Sequence, residues 1–126
     1  MEFTESRNIF LQIADWVCDQ ILQEKFAPGD RIPSVRELAE EMEVNRNTVM
    51  RTYSTLQDQK ILDNKRGIGF FVAENAPTQI HQRQKAAFIE NELPQLIHRV
   101  KVLNLNYQDL KPLLNALEEN KNENEQ

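Results

Sequence analysis

The chain has 126 residues with 20 acidic and 15 basic side chains, which gives a formal net charge of −5 at neutral pH, and this length suits one domain or a small domain with a helical appendage. It contains no apolar run long enough to span a bilayer and no signal-peptide pattern at its start. Its single cysteine, Cys18, cannot form an internal disulfide, so we expect a cytoplasmic protein in which Cys18 is a buried structural thiol.

The first part of the chain predicts three helices. Apolar residues at helical spacing indicate a first helix over residues 8–25. A second helix is predicted within Ile32–Met42, where Ser34 and Glu37 have the spacing of a capping box. A third helix is predicted to begin near Asn45 after a tight turn, so the second and third helices should cross at a steep angle. The apolar residues that the third helix should bury are Val49, Tyr53 and Leu56.

The pattern changes after the third helix. Two short apolar runs, Ile61–Leu62 and Phe70–Val72, flank a polar tip with two glycines, which predicts a β-hairpin. A longer amphipathic helix is predicted over residues 79–103, and Pro94 should kink or break it. A last helix is predicted over residues 107–119.

This order of elements predicts a mainly α fold with a small β-hairpin wing. We expect a winged helix-turn-helix domain over residues 7–75, a two-helix arm over 76–120, and a disordered tail over 121–126, where the composition is polar. Two helices cannot close a core alone, so the arm is predicted to make a homodimer; the alternative is that it folds back onto its own winged domain. The predicted dimerisation residues are Phe88, Leu93, Leu96, Ile97, Val100, Leu103, Leu110, Leu113, Leu114 and Leu117.

The acidic chain contains one basic segment. Residues 46–66 carry five basic and two acidic side chains. Arginine can contact guanine edges, asparagine can pair with adenine, and methionine can pack on a thymine methyl group, so this pattern favours DNA recognition over a merely solvated helix face. For Arg51 the alternative is an ion pair with Glu41 or Asp58. The residues predicted on the outer side of the third helix are Arg46, Asn47, Met50, Arg51 and Ser54.

The run DRIPSVRELAEEMEVNRNTVMRTYSTL, followed by RGIGFFV, resembles the GntR family of bacterial transcription regulators. The N-terminal domain of that family carries the pattern PGD-x-LPS-x-RELA, then V-x-R-x-TV-xx-AY-xx-L, then a G-x-G-x-FV wing. The resemblance extends from about Ile9 to Val72. The short remainder with two helices resembles the YtrA-like subfamily, whose arm mainly makes the dimer.

Carried over by position, the resemblance implies that Arg46 reads bases from the start of the third helix. It implies that Arg36 contacts DNA from the second helix, and that Asn47 and Thr48 bond phosphates. Ser34, besides capping the second helix, is expected to contact a phosphate.

The resemblance also assigns the wing. Arg66 and Gly67 match the wing tip, which in the family reaches into the minor groove. Met50 stands where some relatives have a base-reading arginine, which favours contact with a thymine methyl group or a weaker contact.

The chain departs from the family at three other positions. The family often has glycine near Glu24 and at Lys60, just past helix ends where a positive φ is favourable for glycine. These turns should therefore differ or carry strain. Phe70 replaces a common threonine and makes the wing strand more apolar.

Together these observations predict a DNA-binding transcription regulator, a repressor that acts as a homodimer on an inverted-repeat operator of double-stranded DNA. The alternative, which the acidic net charge supports, is a winged-helix module that binds a protein without specific DNA binding. No catalytic motif is present, so we do not expect an enzyme. His81 and His98 are too far apart to share a metal ion, and we expect no metal, cofactor or membrane partner. The sequence does not identify a small-molecule effector.

Overall fold

The computed structural model describes Phe3 and residues 8–124, and it divides into two compact units between Gln84 and Lys85. Residue 7 of the predicted winged domain and residues 125–126 of the predicted tail lie outside the described residues. No described helix is long and apolar enough to cross a membrane. The elements are α1 (Ile9–Leu22), α2 (Val35–Met42), α3 (Arg46–Asp58), β1 (Leu62–Lys65), β2 (Gly69–Val72), α4 (Ala76–Ala87), a π-helical segment (Phe88–Glu92), α5 (Leu93–Val102) and α6 (Lys111–Asn124).

The core of the first unit forms where α1, α2, α3 and the hairpin meet. Tyr53 is fully buried at its centre, and its ring packs edge-on against Phe70 with centroids 4.9 Å apart. Phe70, which stands where threonine was expected from the resemblance, therefore completes the core. Burial, followed by the nearby Glu37 and Glu41, raises the pKa of Tyr53, so its hydroxyl remains a donor and bonds the carbonyl of Pro33 at 2.6 Å.

Local side-chain caps define the starts of α2 and α3, as the sequence predicts. The Ser34 hydroxyl accepts from the Glu37 N–H at 3.0 Å, and the Ser34 N–H donates to the Glu37 carboxylate at 3.3 Å. This is the predicted capping box. The Asn45 side chain accepts from the N–H of Asn47 at 2.8 Å and so caps α3.

Four helices end in the same hydrogen-bond pattern. After α3, the Lys60 N–H donates to the Gln57 carbonyl and the Ile61 N–H donates to the Leu56 carbonyl, which is a Schellman motif. That motif places a left-handed residue just past the helix end. Here the residue is never glycine, so the turns at Glu24, Glu43 and Lys60 are strained, as predicted for Glu24 and Lys60, whereas the asparagine after α5 adopts this conformation more readily. The four positions and their φ angles are Glu24 (64°), Glu43 (56°), Lys60 (64°) and Asn104 (52°).

The wing is an antiparallel hairpin in which Leu62 pairs with Val72 and Lys65 with Gly69. A short segment before α2 extends this sheet, since Arg31 forms a bridge with Phe71. A side chain on Gly69 would place its Cβ 2.9 Å from the Arg31 Nε, so the backbone of the wing approaches that arginine closely.

The second unit buries none of its described residues in α5, α6 or the π-helical segment. The helix predicted over residues 79–103 is interrupted by the π-helical turn just before Pro94, as expected from a residue that lacks an N–H and crowds the preceding turn. α6 continues to Asn124, so residues 121–124, predicted as part of a disordered tail, are helical.

Candidate nucleic-acid interface

The first two turns of α3 present polar and cationic side chains to solvent. Arg46 and Asn47 are the first two residues of the helix and are both exposed. Met50, one turn further, has 46% of its surface exposed. Because Asn45 caps the helix start and the opposite face is buried, these side chains extend from a fixed backbone. The structure thus brings together three of the predicted DNA contacts on one rigid helix end.

Thr52 and Tyr53 attach α3 to the rest of the first unit. The Thr52 hydroxyl is fully buried and lies 2.9 Å from the Phe10 carbonyl oxygen and 3.0 Å from that of Thr48, to which it can donate. The Tyr53 hydroxyl joins the helix to the segment preceding α2. Sequence analysis assigned no contact to Thr52 or Phe10; the signal for Thr52 was a threonine on the buried stripe of the third helix.

Arg51 lies over an aromatic ring and makes neither of the ion pairs considered as the alternative to DNA contact. Its guanidinium carbon lies 3.9 Å from the centroid of the Phe10 ring. Within residues 8–124 neither Glu41 nor Asp58 forms an ion pair with it. Stacking leaves the in-plane N–H donors of a guanidinium available. A cavity of about 170 Å³ adjoins it and is lined by Asn8, Ile9, Phe10, Thr48 and Arg51.

Two further candidates lie at the start of α2. The Nε of Arg36 is 3.4 Å from the Glu40 carboxylate, and both side chains are about 70% exposed (71% and 67%). Such exposed pairs contribute little, so a phosphate can replace the carboxylate. The Ser34 hydroxyl oxygen accepts the capping bond, and its side-chain hydrogen bond with the Glu37 carboxylate lowers the pKa of Glu37, so this hydroxyl is engaged within the cap.

The wing tip is a tight turn with basic side chains. The Ile68 N–H donates to the Lys65 carbonyl at 2.8 Å, and Gly67 adopts φ 79° at the third position of this turn, where a type II turn needs a positive φ. Arg66 is exposed. Ile68, which the sequence did not single out, has 60% of its surface exposed.

The predicted dimerisation residues form an uncovered apolar surface on the second unit. None of the ten is buried, and Leu103 and Leu117 are more than half exposed. An apolar groove of about 240 Å³ adjoins α6. It is lined by Leu105, Asn106, Tyr107, Leu110, Leu113 and Leu114.

Other chemistry has little support in the described part of the chain. No group of three or more His, Cys, Asp or Glu side chains within it could hold a metal ion. Cys18 is partly buried against the core. Burial, with smaller effects of Asp15 and Asp19, raises the pKa of this thiol to about 12, so it is protonated at neutral pH and a poor nucleophile.

Comparison with known proteins gives one consistent result. A family model described as bacterial regulatory proteins, gntR family, matches residues 10–72. The HTH-type transcriptional regulator YhcF of Bacillus subtilis is 36% identical over 109 residues, covering 86% of this chain and 88% of that protein. The HTH-type transcriptional repressor YtrA of the same organism is 38% identical over 92 residues, covering 73% and 70%. A crystal structure of a GntR-family transcriptional regulator from Bacteroides thetaiotaomicron matches with a TM-score of 0.75 and 39% identity over 90% of this chain and 99% of that one.

Proposed function

Because the chain belongs to the GntR family of bacterial regulatory proteins and is a DNA-binding transcription regulator, we propose that it is a homodimeric repressor of an inverted-repeat operator. The observation that carries this proposal is the division of exposed surface between the two units. The first unit exposes a cationic helix end and wing, whereas the second exposes an apolar face. The similar protein YtrA is a repressor.

The start of α3 would lie in the major groove. Arg46 would contact a guanine edge, since its guanidinium is exposed and its backbone is fixed by the Asn45 cap. Asn47 and Thr48 would bond phosphates beside it. Met50 would pack on a thymine methyl group.

Three other elements would position the duplex. Ser34 and Arg36 would bond phosphates from the start of α2, and such contacts fix register without reading sequence. Arg51, held over the Phe10 ring, would also reach a phosphate. The wing tip would enter the minor groove with Arg66 and Gly67.

The apolar face of the second unit requires a cover. Burial of a large apolar side chain stabilises by roughly 1.5–3 kcal/mol, and none of the ten predicted residues is fully buried within one chain, so covering them would add stabilising free energy to the arm. A second copy supplies a matching surface and also provides a second α3 for a two-fold operator. We therefore propose that these residues form the dimer interface.

The test is fluorescence-anisotropy binding to DNA upstream of the coding region, with scrambled DNA as the competitor, across a salt series. Specific binding requires tighter affinity for the upstream or a selected sequence, together with a weaker salt dependence than binding to the scramble. Arg46→Ala should abolish this preference and leave the dimer intact. Arg83→Ala, which removes an exposed arginine from α4, is the matched control and should retain the preference.

Repression is tested separately with a reporter gene placed behind the selected operator. The unmodified chain should lower expression, and Arg46→Ala should restore it. Unchanged binding by Arg46→Ala would exclude the assignment of α3, and raised expression by the unmodified chain would exclude repression.

A further inference from the structure

Ile68 is an apolar side chain in a place that usually carries polar ones. It lies at the wing tip with 60% of its surface exposed, between Gly67 and Gly69, both of which have positive φ. Turns of this kind favour Gly, Asn, Asp and Ser. The bond from its N–H to the Lys65 carbonyl closes the turn and fixes the backbone from which the side chain extends. Ile68 therefore offers fixed apolar surface to a binding partner.

The neighbouring side chains make this surface suitable for nucleic acid. The Lys65 ammonium lies 4.3 Å from the centroid of the Phe71 ring, so this lysine is directed back along the hairpin. Arg66 and Ile68 are then the two large side chains of the turn, and the turn contains no acidic residue. A cationic donor and an aliphatic surface thus lie two residues apart.

We propose that Ile68 is a specificity-determining residue, through which the wing selects A·T over G·C pairs in the minor groove. This inference rests on the proposed function, in which the wing tip enters that groove. There an A·T pair presents only acceptors, whereas a G·C pair adds the 2-amino donor of guanine. Arg66 supplies donors to the acceptors. The aliphatic chain of Ile68 cannot accept from the amino group and would bury it without a partner.

The experiment measures affinity for a selected operator in which each position flanking a half-site carries A·T, G·C or inosine·C. Inosine lacks only the minor-groove amino group of guanine and keeps its major-groove edge. At the position under the wing, G·C should weaken binding of the unmodified chain about tenfold, and inosine·C should restore it. Ile68→Ser should reduce the difference to within about twofold, since a hydroxyl can accept from the amino group. Ile68→Val should keep the tenfold difference in affinity between A·T and G·C.

Leu22→Ser is the matched control. It removes a comparably exposed aliphatic side chain, 41% exposed at the end of α1, and should leave the base preference unchanged. A full preference in Ile68→Ser, or inosine·C that behaves like G·C, would overturn this inference while the proposed function stands. If the unmodified chain selects no operator at all, the proposed function fails and this inference fails with it.

Discussion

At the scale of single residues, Thr52 links α3 to α1. Its side chain is fully buried, and its hydroxyl reaches the carbonyls of Phe10 and Thr48. A bond of this kind stabilises by about 1 kcal/mol. Since the bond to Phe10 joins α3 to α1, its loss should loosen the platform from which Arg46 extends.

We therefore predict that Thr52→Val, which keeps the shape, lowers the free energy of unfolding by about 1 kcal/mol, or the melting temperature by roughly 4–8 °C. Thr55→Val is the control. Its hydroxyl bonds only the Arg51 carbonyl within α3 and is partly exposed, so water replaces the bond and little stability is lost. Thermal unfolding by circular dichroism measures both; equal effects would mean that the bond to Phe10 contributes nothing.

Lys60 tests the strain at the helix ends. Its φ of 64° brings its Cβ close to the following carbonyl, a conformation that costs a non-glycine residue about 1–2 kcal/mol. Lys60→Gly removes this cost but makes the unfolded chain more flexible, so the net gain should be about 0.5–1 kcal/mol. Lys60→Ala removes the same charge and keeps the Cβ. Urea unfolding should show a gain for glycine alone; an equal gain for alanine would assign the effect to charge.

The candidate site was predictable from sequence where it depends on short-range chemistry. The caps formed by Ser34 and Asn45 lie within three residues of the amides they bond, so their spacing is visible in the chain. The stack of Arg51 on Phe10 and the bond from Thr52 to Phe10 join residues about 40 positions apart. Such contacts depend on how α1 and α3 pack, and no local pattern encodes that packing.

At the scale of elements, the distorted helix before Pro94 is also only partly predictable from the sequence. The sequence predicted a disturbance at the proline, but the structure places it upstream, over Phe88–Glu92, where the Leu93 N–H donates to the carbonyl five residues back. The proline cannot donate to the Glu90 carbonyl, and its ring crowds that turn. A wider turn relieves the crowding. Where the extra residue is inserted depends on the packing of the whole helix and cannot be predicted from the proline's position.

We predict that Pro94→Ala converts this segment to ordinary α-helix. The new N–H can bond the Glu90 carbonyl, so amide hydrogen exchange over residues 88–97 should slow about tenfold or more. Pro112→Ala is the control, because Pro112 is the second residue of α6, where the N–H has no partner within the helix. Mass-spectrometric exchange separates the two segments. Unchanged exchange in Pro94→Ala would show that another residue causes the π-helical turn.

At the scale of the whole molecule, the two units carry different kinds of exposed surface. The net charge of −5 opposes adhesion to any polyanion, so we expect DNA binding to depend on the few basic side chains of α2, α3 and the wing. In the proposed function, the first unit of one copy would make few contacts with DNA. A dimer would double the number of these contacts, and the exposed apolar face of α5 and α6 is the surface suited to dimerisation. Dimerisation and DNA affinity should therefore be coupled.

Ile97→Asp tests this coupling. Ile97 lies on α5 with 47% of its surface exposed, so a carboxylate there costs the monomer little, but in a dimer it would be buried without a partner. We predict a monomer in analytical ultracentrifugation and a melting temperature that no longer depends on protein concentration. Gln95→Asp adds the same charge at an exposed polar position and should leave the dimer intact.

The same variant separates recognition of a half-site from dimerisation. Ile97→Asp keeps α3 and the wing unchanged, so it should bind a single half-site as the unmodified chain does, but lose the additional affinity for two inverted half-sites. Arg46→Ala should do the reverse, forming the dimer and binding neither DNA. A dimer that survived Ile97→Asp, with full affinity for the operator, would mean that this face of α5 is not the interface and that the apolar arm serves another contact.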